Sequence, residues 1–423
     1  MLWRSKSPAE SAVSESDPKN DLAASASQAA GTEWLAGHLN HLTEEQEKKL
    51  VEFKKLCEEN KYYTPAAADG SVRASHGDAT LLRFLRARKF DVAGAWAQFK
   101  DTEDWRKENA IEELYENIEV DSYDAARRMY PQWTGHRDRR GIPIYVFEIK
   151  HLDSKNMAEY NSSMNDSAAT ADTHQSSKVP QRLLRLFALY ENLLNFVMPL
   201  CSRLSRPNME TPVVASTNIV DVSGVGLKQF WNLKGHMQDA SVLATAHYPE
   251  TLDRIFIIGA PAFFPTVWGW IKRWFDPGTT SKIFILSAAE VKPTLTAFMH
   301  PSSIPKQYGG DLDWKWGDMP ALDDEARALV GDALTTPAGD GAARPEVIKG
   351  PVLFKEDHVH ILGKVNGVSR DTKVLVKDAT TSTAEQKADV DVDAGMEKLH
   401  ITVEESANVA NGGVEAPTQT VSA

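Results

Sequence analysis

Short apolar runs rich in β-branched residues alternate with longer segments of helical periodicity between about residues 123 and 310. Two parallel strands must be joined by a crossover, which is usually a helix that then covers the sheet. The alternation therefore predicts an α/β domain built on a mainly parallel sheet with helices on its face. The predicted strands are Ile142–Ile149, Val213–Val222, Arg254–Ile258 and Lys282–Leu286, and the predicted helices are Pro180–Pro199, Leu227–His247 and Ala262–Phe275.

The chain before this pattern has helical spacing of its apolar residues. Thr43 with Gln46 fits a capping box, in which each residue satisfies a free backbone amide of the other. Residues 33–118 are therefore predicted to form a helical N-terminal module. The α/β domain then spans 119–316, with a polar surface insertion at 154–178.

Both ends of the chain are rich in small and polar residues. Such segments cannot bury enough apolar surface to offset the chain entropy lost on folding. Residues 1–32 are predicted to be disordered and residues 317–423 to be a largely disordered tail. A short strand pair around Ile348–Val376 is the alternative for part of that tail.

The charge and the reactive side chains exclude several functional classes. Lysine and arginine number 47 against 59 aspartate and glutamate, and the net charge of −12 argues against a general nucleic-acid-binding protein. Two cysteines, Cys57 and Cys201, give no disulfide framework and fit a reducing, cytoplasmic location. His38 and His41 have no third ligand nearby, so no metal site is predicted. Since neither a nucleophile elbow nor a phosphate-binding glycine loop occurs, we expect a binding protein without a cofactor and not an enzyme.

Four further segments carry a more specific sequence signal. They are Leu81–Asp91, Tyr248–Pro261, Phe275–Ile283 and Ile304–Gly310. In this order and spacing the chain resembles the CRAL-TRIO lipid-transfer proteins, and among them the fungal phosphatidylinositol/phosphatidylcholine transfer proteins of the Sec-fourteen type. The resemblance extends from about Leu35 to Trp316. It implies that 33–118 is the family's N-terminal module and that 119–316 is a lipid-binding domain with an apolar cavity.

The resemblance assigns the phosphatidylinositol headgroup to Arg88, Glu250, Thr279 and Lys282. The residue types suit that ligand, because a phosphodiester needs a cation and an inositol ring needs a carboxylate that accepts its hydroxyl protons. Glu250 precedes one predicted strand and Lys282 begins the next, so the two can be neighbours in the sheet. A structural ion pair between them is the alternative. The nearby cations interpreted as solvated or domain-bridging charges are Arg83, Arg86 and Lys89.

A second headgroup, phosphatidylcholine, is a weaker match. A choline group is cationic, and aromatic rings can hold it by cation–π contact. The chain departs from the family's pattern because Asn218 replaces a threonine, Thr134 replaces an aromatic residue and Thr251 replaces an arginine. Core packing is the alternative for both tyrosines. The candidate residues are Tyr145, Tyr190, Ser216 and Asn218.

The predicted helix Ala262–Phe275 carries aromatic side chains around nearly its whole circumference. An ordinary core helix is one interpretation, but tryptophan and phenylalanine beside Lys272 and Arg273 also suit an element at a membrane interface. The resemblance implies that this helix is a mobile gate over the cavity, with Gly259 and Pro277–Gly278 as hinges. The gate residues are Phe263, Phe264, Val267, Trp268, Ile271 and Phe275.

With the resemblance, the sequence predicts a carrier whose bound phospholipid is a ligand. We expect it to exchange phosphatidylinositol, with phosphatidylcholine as a candidate second lipid, between membranes. The family implies that phosphatidylinositol is presented to a lipid kinase in support of Golgi trafficking. It also implies a cytoplasmic monomer that is transiently peripheral at Golgi or endosomal membranes. The alternative is a non-transferring adaptor that binds a sterol, tocopherol or retinoid.

Overall fold

The computed structural model describes residues 33–162, 181–274, 280–336, 346–347 and 349–376. Predictions for residues 1–32 and 377–423, including disorder at both ends of the chain, lie outside these residues. Of the insertion predicted at 154–178, the described part is a helix over Ser154–Ser162.

A run of helices precedes the sheet, and the first three share one core. The predicted capping box is confirmed: the Gln46 amide donates to Thr43 Oγ1 over 3.2 Å, and the Thr43 amide donates to Gln46 Oε1 over 3.0 Å. The rings of Phe53, Phe84 and Phe99 meet edge to face in this core, a geometry that adds to the energy of burial. The helices are α1 Glu44–Glu59, α2 Asp78–Ala87, α3 Val92–Glu108, α4 Ile111–Asn117 and α5 Val120–Arg127, after a 3-10 turn at Glu33–Leu35.

The predicted mainly parallel sheet is confirmed. In the described part of the chain its five strands are β1 Gln132–Arg137, β2 Pro143–Glu148, β3 Ser216–Asp221, β4 Leu252–Ile258 and β5 Ile283–Ile285. The strands lie side by side in chain order; β1 and β2 are antiparallel, and every later pair is parallel. The intervening and following helices are α6 Ser154–Ser162, α7 Gln181–Asn192, α8 Met198–Arg203, α9 Leu227–His247, α10 Phe264–Ile271 and α11 Ala288–Phe298. The 3-10 turns are Ile149–His151, Lys272–Trp274, Pro301–Ser303 and Lys306–Tyr308.

Helices cover both faces of the sheet. Ile144, Ile219 and Phe256 point to one face, where they pack with residues of α11 and with Trp314. Strand alternation sends the other set of side chains to the opposite face, which α7, α9 and α10 cover. We call this second side the α10 face. Its residues include Tyr145, Phe147, Asn218, Val220, Ile255, Ile257 and Ile283.

Between α7 and α8 the helix continues through a π-helical turn, Leu193–Val197. The whole stretch Leu183–Arg203 is long and apolar enough, by length and composition, to cross a membrane. However, 67% of it is buried inside the protein, which is the environment of a core helix. The π turn places an extra residue in the helix where it passes the end of the sheet.

The prediction of a largely disordered tail is wrong for the described residues after 316. Helix α12, Asp324–Leu334, begins beside β1, where Arg137 pairs with Asp323 and Glu325 at 2.9 Å each. Leu322 is buried beneath it. Composition failed here because a few well-placed apolar and charged side chains anchor this segment to the sheet.

Residues 349–375 form a small antiparallel sheet, which we call the C-terminal sheet. Val352, Val359 and Ile361 are buried, so the strand pair considered for this region is confirmed and extended by a third strand. Its strands are β8 Val352–Lys355, β9 His358–Ile361 and β12 Thr372–Leu375, with a hairpin of β10 Lys364–Val365 and β11 Val368–Ser369. Before it, β6 Thr335–Thr336 pairs with β7 Glu346–Val347.

Both cysteines are free and buried. Cys57 lies in the core of the N-terminal helices, and Cys201 lies in α8. Burial raises the pKa of each thiol to about 12, so both remain protonated near neutral pH.

Gly135 allows the C-terminal region to pass close against the edge strand β1. It lies in an irregular part of β1 and has a φ of +91°. The Ala321 amide donates to the Thr134 carbonyl over 2.8 Å, and a Cβ on Gly135 would lie 2.4 Å from the Ala321 backbone. Glycine is therefore required for both its conformation and its small size.

We expect Gly135→Ala to destabilise the fold more than Gly317→Ala. Both residues have positive φ, +91° and +98°, so both substitutions add similar backbone strain. Only the first also creates a steric clash, and overpacking costs about 1–3 kcal/mol. Urea denaturation should therefore give a free energy of unfolding lower by about that amount for Gly135→Ala. Equal losses would contradict the packing of Ala321 on β1.

Candidate functional site

Glu250, Lys282 and Arg86 meet at the edge of the sheet where the parallel strands begin. Glu250 lies just before β4 and Lys282 just before β5, and these strands pair in parallel. Lys282 Nζ lies 3.4 Å from Glu250 Oε2, and Arg86 Nη2 donates to the same oxygen over 2.8 Å. Two cations share one carboxylate, so the cluster keeps a net positive charge that suits an anionic group.

The backbone at Glu250 is in an uncommon conformation. Its φ is +57°, which usually costs a non-glycine residue about 1–3 kcal/mol. The turn between α9 and β4 thereby aims the carboxylate at both cations. Lys282 Nζ is also held by the Leu252 carbonyl at 3.1 Å. Strain of this kind persists where surrounding contacts hold a residue in place, as functional sites often require.

The other two predicted headgroup residues do not join this cluster among the described residues. Arg88 is exposed at the C-terminal end of α2, and Arg86 of the same helix occupies the position beside Glu250. Arg86 is thus domain-bridging, one of the two roles considered for it. Burial lowers the pKa of its guanidinium, and Glu250 opposes that shift. Thr279 lies outside the described residues.

A pocket of about 260 Å³ opens beside Lys282 and Arg86. Arg140 is paired there with Asp138 and Asp253. Within the described chain Arg206 donates to backbone carbonyls, such as that of Thr211 at 2.9 Å, and has no carboxylate partner. Asp253 is the one acidic residue in the lining. We call this the basic pocket; its polar and aromatic lining includes Trp34, His38, Arg86, Arg140, Arg206 and Lys282.

Sequence reasoning missed several residues of the basic pocket. The Arg140 guanidinium lies 4.9 Å from the centroid of the Trp34 ring, a cation–π contact. His38, for which the sequence predicts no metal site, lines the pocket. Burial, followed by the neighbouring Arg86, lowers the pKa of His38 to about 3, so its imidazole is neutral. These residues carry no local signal, since contacts between distant segments bring them together.

Among the described residues no group of three or more histidine, cysteine, aspartate or glutamate side chains could hold a metal ion. His41 instead lies near Glu210, with Nε2 and Oε1 3.2 Å apart.

Three of the four predicted phosphatidylcholine residues lie together on the α10 face. Asn218 is the register partner of Tyr145, and its Nδ2 donates to Ser216 Oγ over 3.0 Å. Tyr190 lies on α7, where its ring stacks on Tyr248 with centroids 4.6 Å apart. Burial raises the pKa of Tyr190 to about 12 and that of Tyr145 well above its ordinary value. Both hydroxyls therefore stay protonated and can donate to a ligand.

Arg83 is a further candidate that sequence reasoning left among the solvated or domain-bridging charges. Only 4% of it is exposed, and its Nε and Nη1 have no hydrogen-bond partner in the described part of the chain. Burial lowers the pKa of Arg83 to about 10, although Glu191 opposes the shift. Buried donors without partners are rare, so this guanidinium, one turn from Arg86, is a position where water or an anion is expected.

Helix α10 lies where the gate helix is predicted. Phe264, Val267 and Ile271 are buried against the α10 face, and Phe263 and Trp268 are half-buried beside them. These side chains lie on the face where the apolar cavity is predicted, and two pockets in this region measure about 70 and 10 Å³. A lipid can therefore occupy this face only if α10 moves. Phe275 lies outside the described residues.

The start of the gate has the one hinge candidate that can be described. Gly259, between β4 and α10, has a φ of +68°, and a Cβ there would overlap the Ser223 hydroxyl. Only glycine fits this position without displacing Ser223. Pro277–Gly278, the second hinge candidate, lies outside the described residues.

Two exposed tryptophans lie where α9 meets α10. Trp231 is 61% exposed and Trp270 is 41% exposed, and their rings meet edge to face at 6.0 Å. Lys234 Nζ lies 5.2 Å from the Trp231 ring centroid. We call this the tryptophan surface; its other exposed residues are Leu227, Lys228, Lys272 and Arg273. Sequence reasoning identified its α10 side but missed Trp231, whose periodicity fits a core helix equally well.

Family models match the chain in two stretches, a CRAL/TRIO N-terminal domain at residues 49–101 and a CRAL/TRIO domain at residues 127–310. A CRAL-TRIO domain-containing protein of Saccharomyces cerevisiae is 32% identical over 283 residues, 65% of this chain and 81% of that protein. The SEC14 cytosolic factor of Eremothecium gossypii is 31% identical over 285 residues, 67% and 82% of the two chains. The phosphatidylinositol/phosphatidylcholine transfer protein SFH7 of Arabidopsis thaliana is 32% identical over 244 residues, which are 57% of this chain and 41% of that protein. With its helical module and mainly parallel sheet, this chain belongs to the CRAL-TRIO family.

Proposed function

We propose that this protein transfers phosphatidylinositol between membranes. The carboxylate of Glu250, shared by Arg86 and Lys282 beside the basic pocket, is the observation that carries the proposal. The names of relatives as phosphatidylinositol/phosphatidylcholine transfer proteins and cytosolic factors support lipid transfer of the CRAL-TRIO type.

The headgroup binds in the basic pocket. Its phosphodiester accepts charge-assisted hydrogen bonds from the Lys282 ammonium and from arginine guanidinium groups of the lining. Such bonds are roughly twice as strong as neutral ones. The Glu250 carboxylate accepts inositol hydroxyl protons. Arg88, assigned by resemblance, contributes only if the end of α2 rearranges around the ligand. Thr279, also assigned by resemblance, lies outside the described residues.

The acyl chains bind on the α10 face after α10 swings away. Each methylene transferred from water to apolar surroundings contributes about 0.8 kcal/mol, so the chains supply most of the affinity. When the chains leave, the aromatic side chains of α10 refill the face. Exchange is thus a physical cycle of opening, lipid replacement and closure, with no bond made or broken.

The tryptophan surface docks on the membrane during this cycle. Tryptophan rings favour the bilayer interface, and the lysines and arginine around them attract anionic lipids in spite of the net charge of −12. Because Trp270 belongs to α10, docking on the membrane acts directly on the gate helix.

A second lipid binds through Tyr145, Ser216 and Asn218. Asn218 already donates to Ser216, so the donor pattern differs from the one expected for phosphatidylcholine. Delivery to a lipid kinase at Golgi or endosomal membranes, by a monomer, follows from resemblance to the family. The alternative is a non-transferring adaptor for a sterol, tocopherol or retinoid. These ligands carry no phosphate, so they would not use the positive charge of the basic pocket.

Substituting Lys282→Ala together with Glu250→Ala should reduce phosphatidylinositol transfer between vesicles at least about tenfold, because a hydrogen bond to a charged group contributes about 1.5–3 kcal/mol. Transfer of radiolabelled phosphatidylinositol from donor to acceptor vesicles measures the effect, and circular dichroism checks the fold. Lys306→Ala together with Asp313→Ala is the matched control: it removes an exposed ion pair that lies outside the proposed site. Unchanged transfer by the double variant would refute the headgroup assignment.

Substituting Trp231→Ser with Trp270→Ser should lower the fraction of protein that floats with anionic vesicles about tenfold, equivalent to about 1.4 kcal/mol. Neither ring is buried in the core, so the melting temperature should change little. Val51→Ser, at an exposed apolar residue on α1, is the control. Wild-type flotation by the double variant would exclude the tryptophan surface as the docking site.

Binding of phosphatidylinositol should not strengthen as the pH falls from about 7.5 to 5.5, although a histidine lines the basic pocket. With its pKa lowered to about 3, His38 gains no charge in this range, and protonation would begin only well below it. Titration of lipid binding by tryptophan fluorescence, in wild type and in His38→Gln, measures this. An increase in affinity at pH 5.5 that His38→Gln abolishes would contradict the neutral state of His38.

A further inference from the structure

The C-terminal sheet lies beyond both stretches that match the family models, yet it is anchored to the family's domain. The buried hydroxyl of Tyr115, in α4, donates to the Val352 carbonyl over 2.5 Å and accepts from the Val352 amide over 3.0 Å. Asn192 Nδ2, at the end of α7, also donates to that hydroxyl over 3.1 Å. The sheet is therefore fixed to α4 and α7 at a defined register.

A second contact fixes the C-terminal sheet to the π turn. The ring of Phe354 stacks on Phe196, with centroids 6.4 Å apart and planes 14° apart. The Arg203 guanidinium lies 4.3 Å from the Phe354 ring centroid. Phe196 belongs to the π turn, and Arg203 ends α8. β8 therefore packs along the helix where that helix is widest.

A pocket of about 70 Å³ lies beside these contacts, at the β1 end of the α10 face. Trp133 and Tyr145 of the sheet form its floor, and Leu189 and Phe196 form one wall. Residues of the C-terminal region, including Val352, also line it. We call it the β1 pocket. Leu189 also packs against the apolar cluster that contains the residues of α10, so the pocket borders the proposed acyl-binding face.

The lining of the β1 pocket is mostly apolar or aromatic. Its one charged lining residue, Arg127, donates to Asp124 at 2.9 Å and to the carbonyls of Gly317 and Asp318. The Asp124 carboxylate offsets the charge of this guanidinium, which weakens its attraction for an anionic headgroup. The remaining lining is apolar or aromatic except for Asn192, which bonds Tyr115.

The distance across the sheet fits an acyl chain. Lys282 lies at β5, and four inter-strand spacings of about 4.8 Å place β1 about 19 Å away. An acyl chain spans about 15 Å in one leaflet of a bilayer whose apolar core is about 30 Å thick. The glycerol that joins the phosphate to the chain spans the remaining distance of about 4 Å, so a chain that crosses the α10 face ends at the β1 pocket.

We propose that the β1 pocket receives the end of a phospholipid acyl chain and that the C-terminal sheet, through Val352, limits the length of that chain. The inference rests on the proposed function, because it takes the headgroup position from the basic pocket. The C-terminal sheet, which lies outside the matched family domains, would then contribute to ligand selection. The side chain of Val352 closes the pocket while its backbone bonds to Tyr115, so the two roles can be separated by substitution.

The test compares Val352→Ala, which enlarges the β1 pocket, with Val352→Leu, which fills it. Each full-length protein is incubated with vesicles containing equal amounts of phosphatidylinositol with 14-, 16-, 18- and 20-carbon chains, and the bound lipid is identified by mass spectrometry. We expect Val352→Ala to shift the ratio of long to short chains upward by about fourfold per added methylene, and Val352→Leu to shift it downward. Val368→Ala, at an exposed position of the same sheet, should leave the ratio unchanged.

An identical chain-length profile for wild type and both Val352 variants would overturn the inference. The thermal melting temperature reports whether a variant is folded. If Val352→Ala does not fold, Val352→Leu, which keeps a large apolar side chain, still tests the inference. If wild type binds other phospholipids and not phosphatidylinositol, the proposed headgroup is wrong, but the same chain-length comparison on the bound lipid still tests the β1 pocket. Absence of any bound acyl lipid would overturn both proposals.

Discussion

The ion cluster at Glu250 is the interaction on which the arrangement of this molecule depends. It links Arg86 of the N-terminal helical module to Lys282 at the sheet edge. In sequence, Arg86 lies 164 residues and Lys282 lies 32 residues from Glu250. Removing one partner of a partly buried pair leaves an uncompensated charge, so the three groups hold one another in place. The same cluster is left with a net positive charge. The contact that joins two parts of the fold thus also creates the attraction for an anionic ligand.

The sequence predicted two of the three members of this cluster, Glu250 and Lys282, and did not assign Arg86 to the headgroup for a definable reason. Glu250 and Lys282 each stand before a strand, and parallel pairing of adjacent strands places them side by side. The choice between Arg86 and Arg88 depends on which face of α2 meets the sheet, and α2 carries arginines on several sides. Trp34 and His38 reach the basic pocket only through packing between distant segments, which leaves no periodic trace in the sequence.

The fold shows the same division between local and long-range information. Strand and helix periodicity was enough to predict the order of the central sheet, and the capping box at Thr43 was predicted from four residues. The C-terminal sheet was largely missed, because its composition resembles that of a disordered tail. Its stability comes from anchoring points such as Tyr115 and Phe196, which lie far away in the chain. Composition reports how much apolar surface a segment has. It does not report whether another part of the fold offers a surface on which that segment can pack.

The two buried thiols make this chain a convenient host for site-directed probes. Alkylating reagents attack thiolates, and neither Cys57 nor Cys201 is ionised or accessible in the folded state. A single cysteine introduced at the surface should therefore take up a dye selectively without prior removal of the native ones. A fluorophore attached after Trp270→Cys would sit on the element proposed to move and would report the opening of the interior in real time.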